Sequence, residues 1–277
     1  MGCDRRRRSL AGENLVARQR SLVRYTLGSS PGRPQDVSFT HTRGSGSFDY
    51  DSCMCGRFTL TSPAETVAEL FELDAVPSLT PRYNIAPTQS VAVVRAAPDR
   101  RAPRRLSELH WGLIPSWAKD PSIGSRMINA RAETVAEKPS FRSAFRRRRC
   151  LIVADGFYEW QKLGTRKQPH YIHMTGKKPF GFAGLWEHWE DPDGASIDSC
   201  TIITTEPNEM MAEIHNRMPV ILRPSDYGLW LDPDVQTPER AQALLQAYPA
   251  SEMSAYAIST YVNQPSNDTP ACTEPLS

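Results

Sequence analysis

The sequence predicts an α+β fold, a single domain around a mostly antiparallel, barrel-like β-sheet with flanking short helices. Short apolar or alternating segments, separated by turn residues, favour many short strands. A few short helical segments interrupt these strands without the regular strand–helix–strand order of a parallel sheet. The 277 residues can bury a sizeable core and contain no internal repeat that we can detect.

The first two elements have clear boundaries in the sequence. A strand is expected from Cys55 to Leu60. A helix should follow, because Ser62 can cap its N-terminus, a proline occupies its first turn and Glu65 can complete a capping box. Apolar residues at helical spacing give this helix one buried face, and we expect it to end near Asp74.

The later elements follow from the same patterns. Strands are expected over residues 90–96, 106–113, 149–154, 157–161, 169–174, 180–186, 200–205 and 218–222. Short helices are expected over residues 206–215, 225–231 and 238–248. Two segments are expected to be loops: residues 81–87, which are held by two prolines, and residues 115–123.

Residues 1–53 differ in composition from the rest of the chain. They hold nine Arg, no Lys and five acidic residues, whereas the whole chain has 33 basic and 31 acidic residues. The remainder therefore holds 24 basic and 26 acidic residues, so a nucleic-acid site there must be a local patch. Because residues 1–53 are rich in chain breakers, we expect a disordered leader that precedes the true start or is removed, and a functional domain over residues 54–277.

The six cysteines do not suggest a disulfide framework or a metal site. Their spacing is irregular and includes no CxxC pair: Cys3, Cys53, Cys55, Cys150, Cys200 and Cys272. A reducing cytosol is the simplest setting for them. No apolar run approaches the roughly 18–20 residues of a membrane span. We therefore expect a cytoplasmic monomer without metal or cofactor that does not bind membranes.

Cys55 offers unusual chemistry if it becomes the first residue. Met54 stands directly before it, so translation from Met54 followed by removal of that methionine would expose the α-amine of Cys55. The reference pKa values are about 7.7–8.0 for such an amine and about 8.5 for the thiol, so both can be nucleophiles near neutral pH. The amine could form a Schiff base with an aldehyde, and the thiol could then close a thiazolidine ring. The alternative is that Cys55 is an ordinary buried cysteine.

Three further stretches offer polar side chains suited to catalysis or phosphate binding. Asn129 has a neutral amide that can hold a substrate oxygen, and Arg131 has a guanidinium that suits phosphate. Glu159 lies between two aromatic residues after an apolar strand, where desolvation would suit it to proton transfer. His215 could be a general acid or base. The structural alternatives are a loop-stabilising network, an outward-facing glutamate and a capping histidine.

Six motifs in a fixed order make these stretches more specific together than any one alone. They are Met-Cys-Gly-Arg-Phe from residue 54, Arg-Tyr-Asn-Ile-Ala-Pro from 82, Trp-Gly-Leu-Ile-Pro-Ser-Trp from 111, Ile-Asn-Ala-Arg-Ala-Glu-Thr from 128, Ala-Asp-Gly-Phe-Tyr-Glu-Trp from 154 and Ile-His-Asn-Arg-Met-Pro from 214. In this order they closely resemble the SOS-response-associated peptidase family, the abasic-site processing proteins. The resemblance runs from Met54 to about Pro270.

The resemblance implies a DNA-damage function, with a role for each motif. In that family, a mature N-terminal cysteine forms a thiazolidine with the aldehyde of an abasic site in single-stranded DNA. Cys55 then corresponds to the nucleophile, and Asn129 to the residue that orients the sugar and the cysteine. Glu159 corresponds to the acid/base group that helps to form and reverse the link, and His215 to the proton donor that promotes sugar ring opening or Schiff-base chemistry. The residues that resemble the DNA-binding face, or could stack on bases beside it, are Arg57, Asn84, Trp117, Arg131, Trp160 and Arg217.

Two departures from the family pattern and two other functions stay open. The chain begins 53 residues before Met54, and Asn216 follows His215 where the family often has aspartate. A thiol protease, acting on other proteins or only on itself ahead of Cys55, would need the Cys55 thiol, His215 as base and Asn129 or Glu159 as orienting residue, but no free amine. A non-catalytic single-strand binder would tolerate the loss of Cys55. Further basic residues offer phosphate contacts, namely Arg126, Arg142 and the run Arg146 to Arg149, although this run could equally be a solvated turn.

Overall fold

The computed structural model describes residues 56–97 and 104–276. In these ranges the strands are β1 Arg57–Leu60, β2 Arg82–Ile85, β3 Ser90–Arg95, β4 Arg105–Trp111, β5 Asn129–Arg131, β6 Arg149–Ala154, β7 Gly156–Leu163, β8 Arg166–Met174, β9 Phe180–Glu190, β10 Ser196–Thr205, β11 Met218–Pro219, β12 Ile221–Leu222 and β13 Met253–Ala257. The α-helices are α1 Ala64–Phe71, α2 Arg142–Arg147, α3 Glu209–Ala212, α4 Tyr227–Leu231 and α5 Pro238–Gln242. Short 3-10 helices cover Pro121–Arg126, Pro224–Asp226, Ala250–Glu252, Thr260–Asn263 and Pro270–Thr273.

Five strands close into a barrel. Their order is β10-β4-β3-β6-β9, and pairing between β9 and β10 completes the ring. All of these pairs are antiparallel except β4 with β10. Three short strands extend the barrel: β5 and β11 pair with β10, and β12 pairs with β9. The predicted fold class, α+β with a mostly antiparallel, barrel-like sheet in one domain, is confirmed.

A second sheet packs against the barrel. It is antiparallel, with the order β13-β8-β7-β1-β2. The ring of Phe58 lies 5.1 Å from that of Trp111 and 5.9 Å from that of Phe182, and Phe157 lies 6.0 Å from Phe182. These edge-to-face contacts belong to the main hydrophobic core, which therefore joins the two sheets.

The opposite face of the second sheet is covered by residues 258–276, which we call the C-terminal segment. Ile258, Val262 and Cys272 of this segment are buried against Tyr158 and Tyr171 of the sheet. Successive side chains of a strand point to opposite faces, so β7 contributes Phe157 to the main core and Tyr158 to this smaller cluster. Strand β7 is therefore covered on both faces along its first half.

The predicted capping box is wrong. Helix α1 has Pro63 as its N-cap, and no side chain caps it. The Ser62 backbone N–H and hydroxyl instead donate to Asp155 Oδ2, at 2.7 and 3.0 Å. The same carboxylate accepts from the Thr59 hydroxyl and from the backbone N–H of Thr61. The carboxylate of Asp155, the single residue between β6 and β7, has thus replaced the local cap, and it fastens the link between β1 and α1 to the junction of these two strands.

Several predicted boundaries are also wrong. The expected helices over residues 206–215 and 238–248 shorten to α3 and α5, and the expected strand over 218–222 divides into β11 and β12. The division occurs at Val220, whose N–H donates to the carbonyl of Ile203 on β10 and whose carbonyl accepts from the N–H of Ala183 on β9. The predicted loop over residues 81–87 contains β2, which pairs with β1. Strands β5 and β13 and helix α2 were not predicted; β5 and β13 depend on distant partners, β10 and β8.

Among the described residues, no helix combines the length and the apolar character needed to cross a bilayer.

The Asp155 network predicts a stability effect. Asp155→Asn should lower the free energy of unfolding by about 2–3 kcal/mol, because hydrogen bonds to a buried carboxylate are strong and the new amide N–H₂ would face donors. Urea unfolding followed by far-UV circular dichroism measures this loss. Asp74→Asn, at an exposed position, is the matched control and should change stability by less than about 0.5 kcal/mol. Equal stability of the two variants would contradict the role given to Asp155.

Candidate functional site

The candidate site is described from the N-terminal end of β1, which begins at Arg57. Cys55, the predicted nucleophile, lies outside the described residues. In the register of the second sheet, Arg57 stands opposite Tyr158. Because β1 and β7 are antiparallel, the entry end of β1 lies beside Glu159, the next residue of β7.

Glu159 is buried at this end of β1. Its side chain is 2% exposed and points to the same face of the sheet as Phe157, which lies in the main core. The outward-facing alternative for this glutamate is therefore wrong. In the register, Glu159 stands opposite His170, whose Nε2 lies 3.2 Å from Gln161 Oε1. Partial burial lowers the pKa of His170 and favours its neutral form.

Asn129 and Arg131 lie on β5, at the edge of the barrel. Strand β5 runs parallel to β10, with Arg131 opposite Thr204. The indole Nε1 of Trp111 donates to the carbonyl of the residue before Asn129, at 2.9 Å. Asn129 is half-buried and Arg131 is exposed. Strand β5 therefore carries the neutral amide of Asn129, which is partly shielded from solvent, and the guanidinium of Arg131, which is exposed to solvent.

Two glycines shape the loop between β4 and β5. Gly112 has a φ of +144°, and a Cβ on Gly124 would lie only 2.6 Å from the carbonyl oxygen of Gly112. The indole of Trp189 donates to the carbonyl of Ala118, at 2.7 Å. The loop carries Trp117, whose side chain is 60% exposed beside a shallow surface concavity. Lys119, Ile123 and Arg126 line the same concavity.

His215 lies in the turn between α3 and β11. Its Nδ1 lies 3.2 Å from the backbone nitrogen of Arg217 and 3.3 Å from the Arg217 carbonyl oxygen. Burial is the main influence that lowers its pKa; the hydrogen bond with the Arg217 backbone acts in the opposite direction, and the positive charge of Lys167 lowers the pKa further. His215 is therefore neutral at pH 7 and available to accept a proton.

The guanidinium of Arg217 is held by Glu133. Its Nη1 and Nη2 donate to the two carboxylate oxygens of Glu133, at 2.6 and 2.9 Å, and Nη2 also donates to the carbonyl of Thr204, at 2.6 Å. The Arg217 side chain is only 12% exposed. Hydrogen bonding from Arg217 is the main reason why the pKa of Glu133 is lowered. This pair fixes the direction of Arg217 beside β5 and β10.

Arg57 and Asn84, both predicted to line the DNA-binding face, are buried. Asn84 has no exposed surface, and its Oδ1 accepts from Arg57 Nη1 at 2.8 Å. Asn84 Nδ2 donates to the carbonyls of Val262, Gln264 and Asn267. Arg57 donates to the carbonyls of Val262 and Asn263, at 2.8 and 3.1 Å. The two side chains thus attach the C-terminal segment to β1 and β2, and direct contact with DNA would require this network to open.

Trp160 lies above this network on the outer face of β7. The Arg57 guanidinium carbon is 6.0 Å from the centre of its ring, within reach of a cation–π interaction. The indole N–H donates to Asn263 Oδ1, at 2.8 Å. Trp160 is half-buried, whereas Asn263 is exposed, so one part of the ring faces solvent and the polar edge is fixed by the protein.

Two of the four arginines in the run Arg146 to Arg149 make contacts inside the protein. Arg149 is buried and donates to the carbonyls of Phe145, Arg146 and Trp230. Arg148 pairs with the buried Glu187, at 2.6 Å. The interpretation of Arg149 and Arg148 as phosphate ligands is therefore wrong, while Arg146 and the residue after it are exposed on α2.

A hydrogen bond joins the two parts of the site. Gln161 Nε2, on β7 of the second sheet, donates to the carbonyl of Glu213, at 2.8 Å. Glu213 leads to His215, and the loop continues to Arg217 and the barrel edge. Sequence reasoning missed Gln161, although its alternation with Glu159 on β7 was a usable signal. It also missed Asn263, for which the sequence carries no signal, because the contact joins residues 103 positions apart.

Within residues 56–97 and 104–276 no group of three or more His, Cys, Asp or Glu side chains is arranged to hold a metal ion. The described side chains of this site carry carboxylate, imidazole, amide and guanidinium groups.

Residues 54–265 match the family model described as SOS response associated peptidase (SRAP). The chain belongs to the SRAP family. The match begins at Met54 and covers all the motifs identified in the sequence. The family resemblance found there is confirmed.

Curated relatives and solved structures agree with SRAP membership. Abasic site processing protein YoqW of Bacillus subtilis is 47% identical over 225 residues, which cover 80% of this chain and 99% of YoqW. Abasic site processing protein HMCES of Xenopus tropicalis is 33% identical over 221 residues, which cover 69% of this chain and 65% of HMCES. The crystal structure of a Bacteroides thetaiotaomicron protein is similar with a TM-score of 0.72 and 26% identity, over 80% of this SRAP chain and 100% of that one.

The surroundings of His215 predict a direct titration result. We expect the pKa of His215 to lie below 6.5, and Lys167→Gln should raise it, because one positive charge that disfavours the imidazolium is removed. A pH titration of the His215 ring signals by NMR measures both values. Lys178→Gln, an exposed lysine in the turn after β8, is the control and should leave the midpoint unchanged. A midpoint above 6.5 in the unaltered protein would contradict the burial argument.

Proposed function

We propose that this SRAP protein processes abasic sites in single-stranded DNA through a covalent link to Cys55. The relatives with 47% and 33% identity are both named abasic site processing proteins, which supports DNA-processing activity at such sites. The link requires Cys55 to be the first residue, so we propose that residues 1–54 are absent from the active protein. They would be absent through a later translation start or through cleavage ahead of Cys55.

The proposed reaction joins three groups and releases one water. The α-amine of Cys55 attacks the aldehyde carbon of the opened abasic sugar, and loss of water gives a Schiff base. The thiolate of Cys55 then adds to the same carbon, and the nitrogen takes up a proton to complete a thiazolidine ring. No oxidant or reductant is needed, because the aldehyde carbon keeps its oxidation level throughout.

The burial of Glu159 beside the entry end of β1 is the observation that carries this proposal. Cα atoms two residues apart in any chain are separated by at most about 7 Å, which ties Cys55 to Arg57. Arg57 stands opposite the residue before Glu159. A buried carboxyl group near the amine could shuttle the protons of Schiff-base formation and reversal. We assign to Asn129 the orientation of the sugar and to His215, neutral at pH 7, the proton transfer that opens the sugar ring.

The exposed residues around this end of the molecule suit a single strand of DNA. Arg131 is exposed on β5 and offers its guanidinium for phosphate. Arg217 directly precedes β11, and because its guanidinium is held by Glu133 and the carbonyl of Thr204, it would reach a phosphate only if this pairing opened. Trp117 and Trp160 present ring surface to solvent, on which unpaired bases could stack. We assign Arg57 and Asn84 a supporting role beneath this surface rather than direct contact with DNA.

The position of the amine distinguishes this reaction from a thiol protease. Protein that begins at Cys55 should form a heat-stable adduct with an abasic single-stranded oligonucleotide, with the mass of protein plus DNA minus one water. Insertion of one alanine ahead of Cys55 should abolish the stable adduct, because amine and thiol no longer lie on adjacent carbons. Intact mass spectrometry after heating measures both. Cys55→Ser keeps the amine and should give only a Schiff base that borohydride can trap.

Thiol-only chemistry predicts the opposite pattern for these proteins. A thiol protease would lose little from one added residue, because its nucleophile is intact. If the alanine-extended protein forms the heat-stable adduct as fast as the protein that begins at Cys55, the thiazolidine proposal is wrong.

Glu159→Gln should slow the reaction by about 10²–10⁴-fold without abolishing it, as expected for a positioned acid/base group.

Arg131 gives a separate prediction for DNA binding. Arg131→Ala should weaken binding to damaged and undamaged single strands alike and should reduce the slope of log affinity against log salt by about 0.7, which corresponds to one phosphate contact. Fluorescence anisotropy at several salt concentrations measures this slope. Arg240→Ala, an exposed arginine on α5, is the matched control and should leave the slope unchanged. An unchanged slope in Arg131→Ala would remove Arg131 from the DNA-binding face.

A further inference from the structure

Asn263 stands at a position where the C-terminal segment meets the candidate site. It is the last residue of the 3-10 helix Thr260–Asn263, and its side chain is exposed. Its Oδ1 accepts a hydrogen bond of 2.8 Å from the indole N–H of Trp160. None of the six motifs includes Asn263, yet it contacts a residue of the fifth.

The hydrogen bond from Trp160 to Asn263 restricts rotation of the indole ring about its side-chain bonds. Trp160 lies on the outer face of β7, and its indole N–H is its one side-chain hydrogen-bond donor. Arg57 approaches the ring of Trp160, with its guanidinium carbon 6.0 Å from the ring centre. With Arg57 beside the ring and Asn263 bound to its N–H, the rest of the Trp160 ring surface faces solvent in one defined direction.

The backbone around Asn263 is held by hydrogen bonds from the side chains of Arg57 and Asn84. The carbonyl of Asn263 accepts from Arg57 Nη2, at 3.1 Å, and the carbonyls on either side, of Val262 and Gln264, accept from Asn84. Asp268 then accepts from the backbone N–H of Asn84, at 3.0 Å, which closes the turn onto β2. The segment is therefore a rigid support rather than a loose tail, and it carries the acceptor for Trp160.

We propose that Asn263 is a positioning residue for nucleic-acid binding, which holds the indole of Trp160 as a preformed platform for an unpaired nucleobase. This inference rests on the proposed function, because it takes single-stranded DNA as the ligand. Aromatic stacking binds bases of any identity, and a platform that is already oriented loses less side-chain entropy when a base arrives. Asn263 acts through Trp160 and does not take part in the chemistry at Cys55.

A double-mutant cycle tests the proposal with an undamaged, fluorescein-labelled oligothymidine single strand. Asn263→Ala should weaken binding about three- to tenfold, the range expected for one neutral hydrogen bond. Trp160→Phe keeps an aromatic ring but has no N–H, so adding Asn263→Ala to it should change affinity by less than about twofold. Asn267→Ala is the matched control. It removes a hydrogen bond to the Tyr261 carbonyl within the same segment and should leave affinity within about twofold.

The outcomes separate the positioning role from a structural one. If Asn263→Ala weakens binding equally with Trp160 and with Phe at position 160, the residue acts through the fold of the segment and the proposal is overturned. No effect in either background also overturns it. Near-ultraviolet circular dichroism in the tryptophan region should change in Asn263→Ala and not in Asn267→Ala, and this change should be absent when position 160 is Phe.

A second measurement separates this inference from the proposed function. At saturating protein, Asn263→Ala that begins at Cys55 should form its adduct with abasic DNA at the rate of the unaltered protein, because only affinity is affected. If the unaltered protein forms no adduct while the binding cycle still shows coupling between Asn263 and Trp160, the covalent function fails and the platform stands. A lower maximal rate in Asn263→Ala would overturn the assignment of Asn263 as a binding residue only.

Discussion

The aromatic contact between the two sheets is the interaction on which the candidate site depends. Phe58 on β1 packs against Trp111 and Phe182 of the barrel. Glu159 belongs to the second sheet, whereas Asn129 belongs to the barrel edge, so the site exists only while the sheets stay packed. Trp111 serves both sides of this contact: its ring meets Phe58, and its N–H holds the backbone just before Asn129. Loss of this packing would separate Glu159 from Asn129, to which we assign the acid/base role and the orientation of the sugar.

Hydrogen bonds from polar side chains fix the two ends of β1, which apolar packing alone does not fix. The Asp155 carboxylate fixes the exit of β1, and the pair of Arg57 and Asn84 fixes its entry. Both arrangements satisfy several backbone groups at once, which is the condition for burying a charge at an acceptable free energy. Strand β1 is therefore held at both of its ends, so the residue that reacts in our proposal directly precedes a strand fixed by side-chain hydrogen bonds.

The sequence predicted those elements whose cause is local. Strand β6 was predicted with its observed bounds, Arg149–Ala154, because a continuous apolar run needs only burial on both faces. Strand β2 was missed because its extended form depends on pairing with β1, from which helix α1 separates it in the chain. The prolines at both ends of residues 81–87 suggested a loop instead. The sequence located Glu159 but left a desolvated and an outward-facing position open. The structure decides for burial, because the barrel covers the face of β7 on which Glu159 lies. The C-terminal segment could not be predicted, since its position depends on hydrogen bonds from residues about 180–206 positions earlier in the chain.

Arginine shows most clearly why residue type alone does not define a binding face. Arg57 and Arg131 both stand in motifs of the family and both suit phosphate. The guanidinium of Arg57 is consumed by Asn84 and by carbonyls of the C-terminal segment, whereas Arg131 lies on a three-residue edge strand and faces solvent. A guanidinium has five N–H donors and satisfies carbonyls as readily as phosphates, so only the topology decides which it meets. An arginine beside an anionic substrate can therefore matter as much for holding the backbone as for binding the charge.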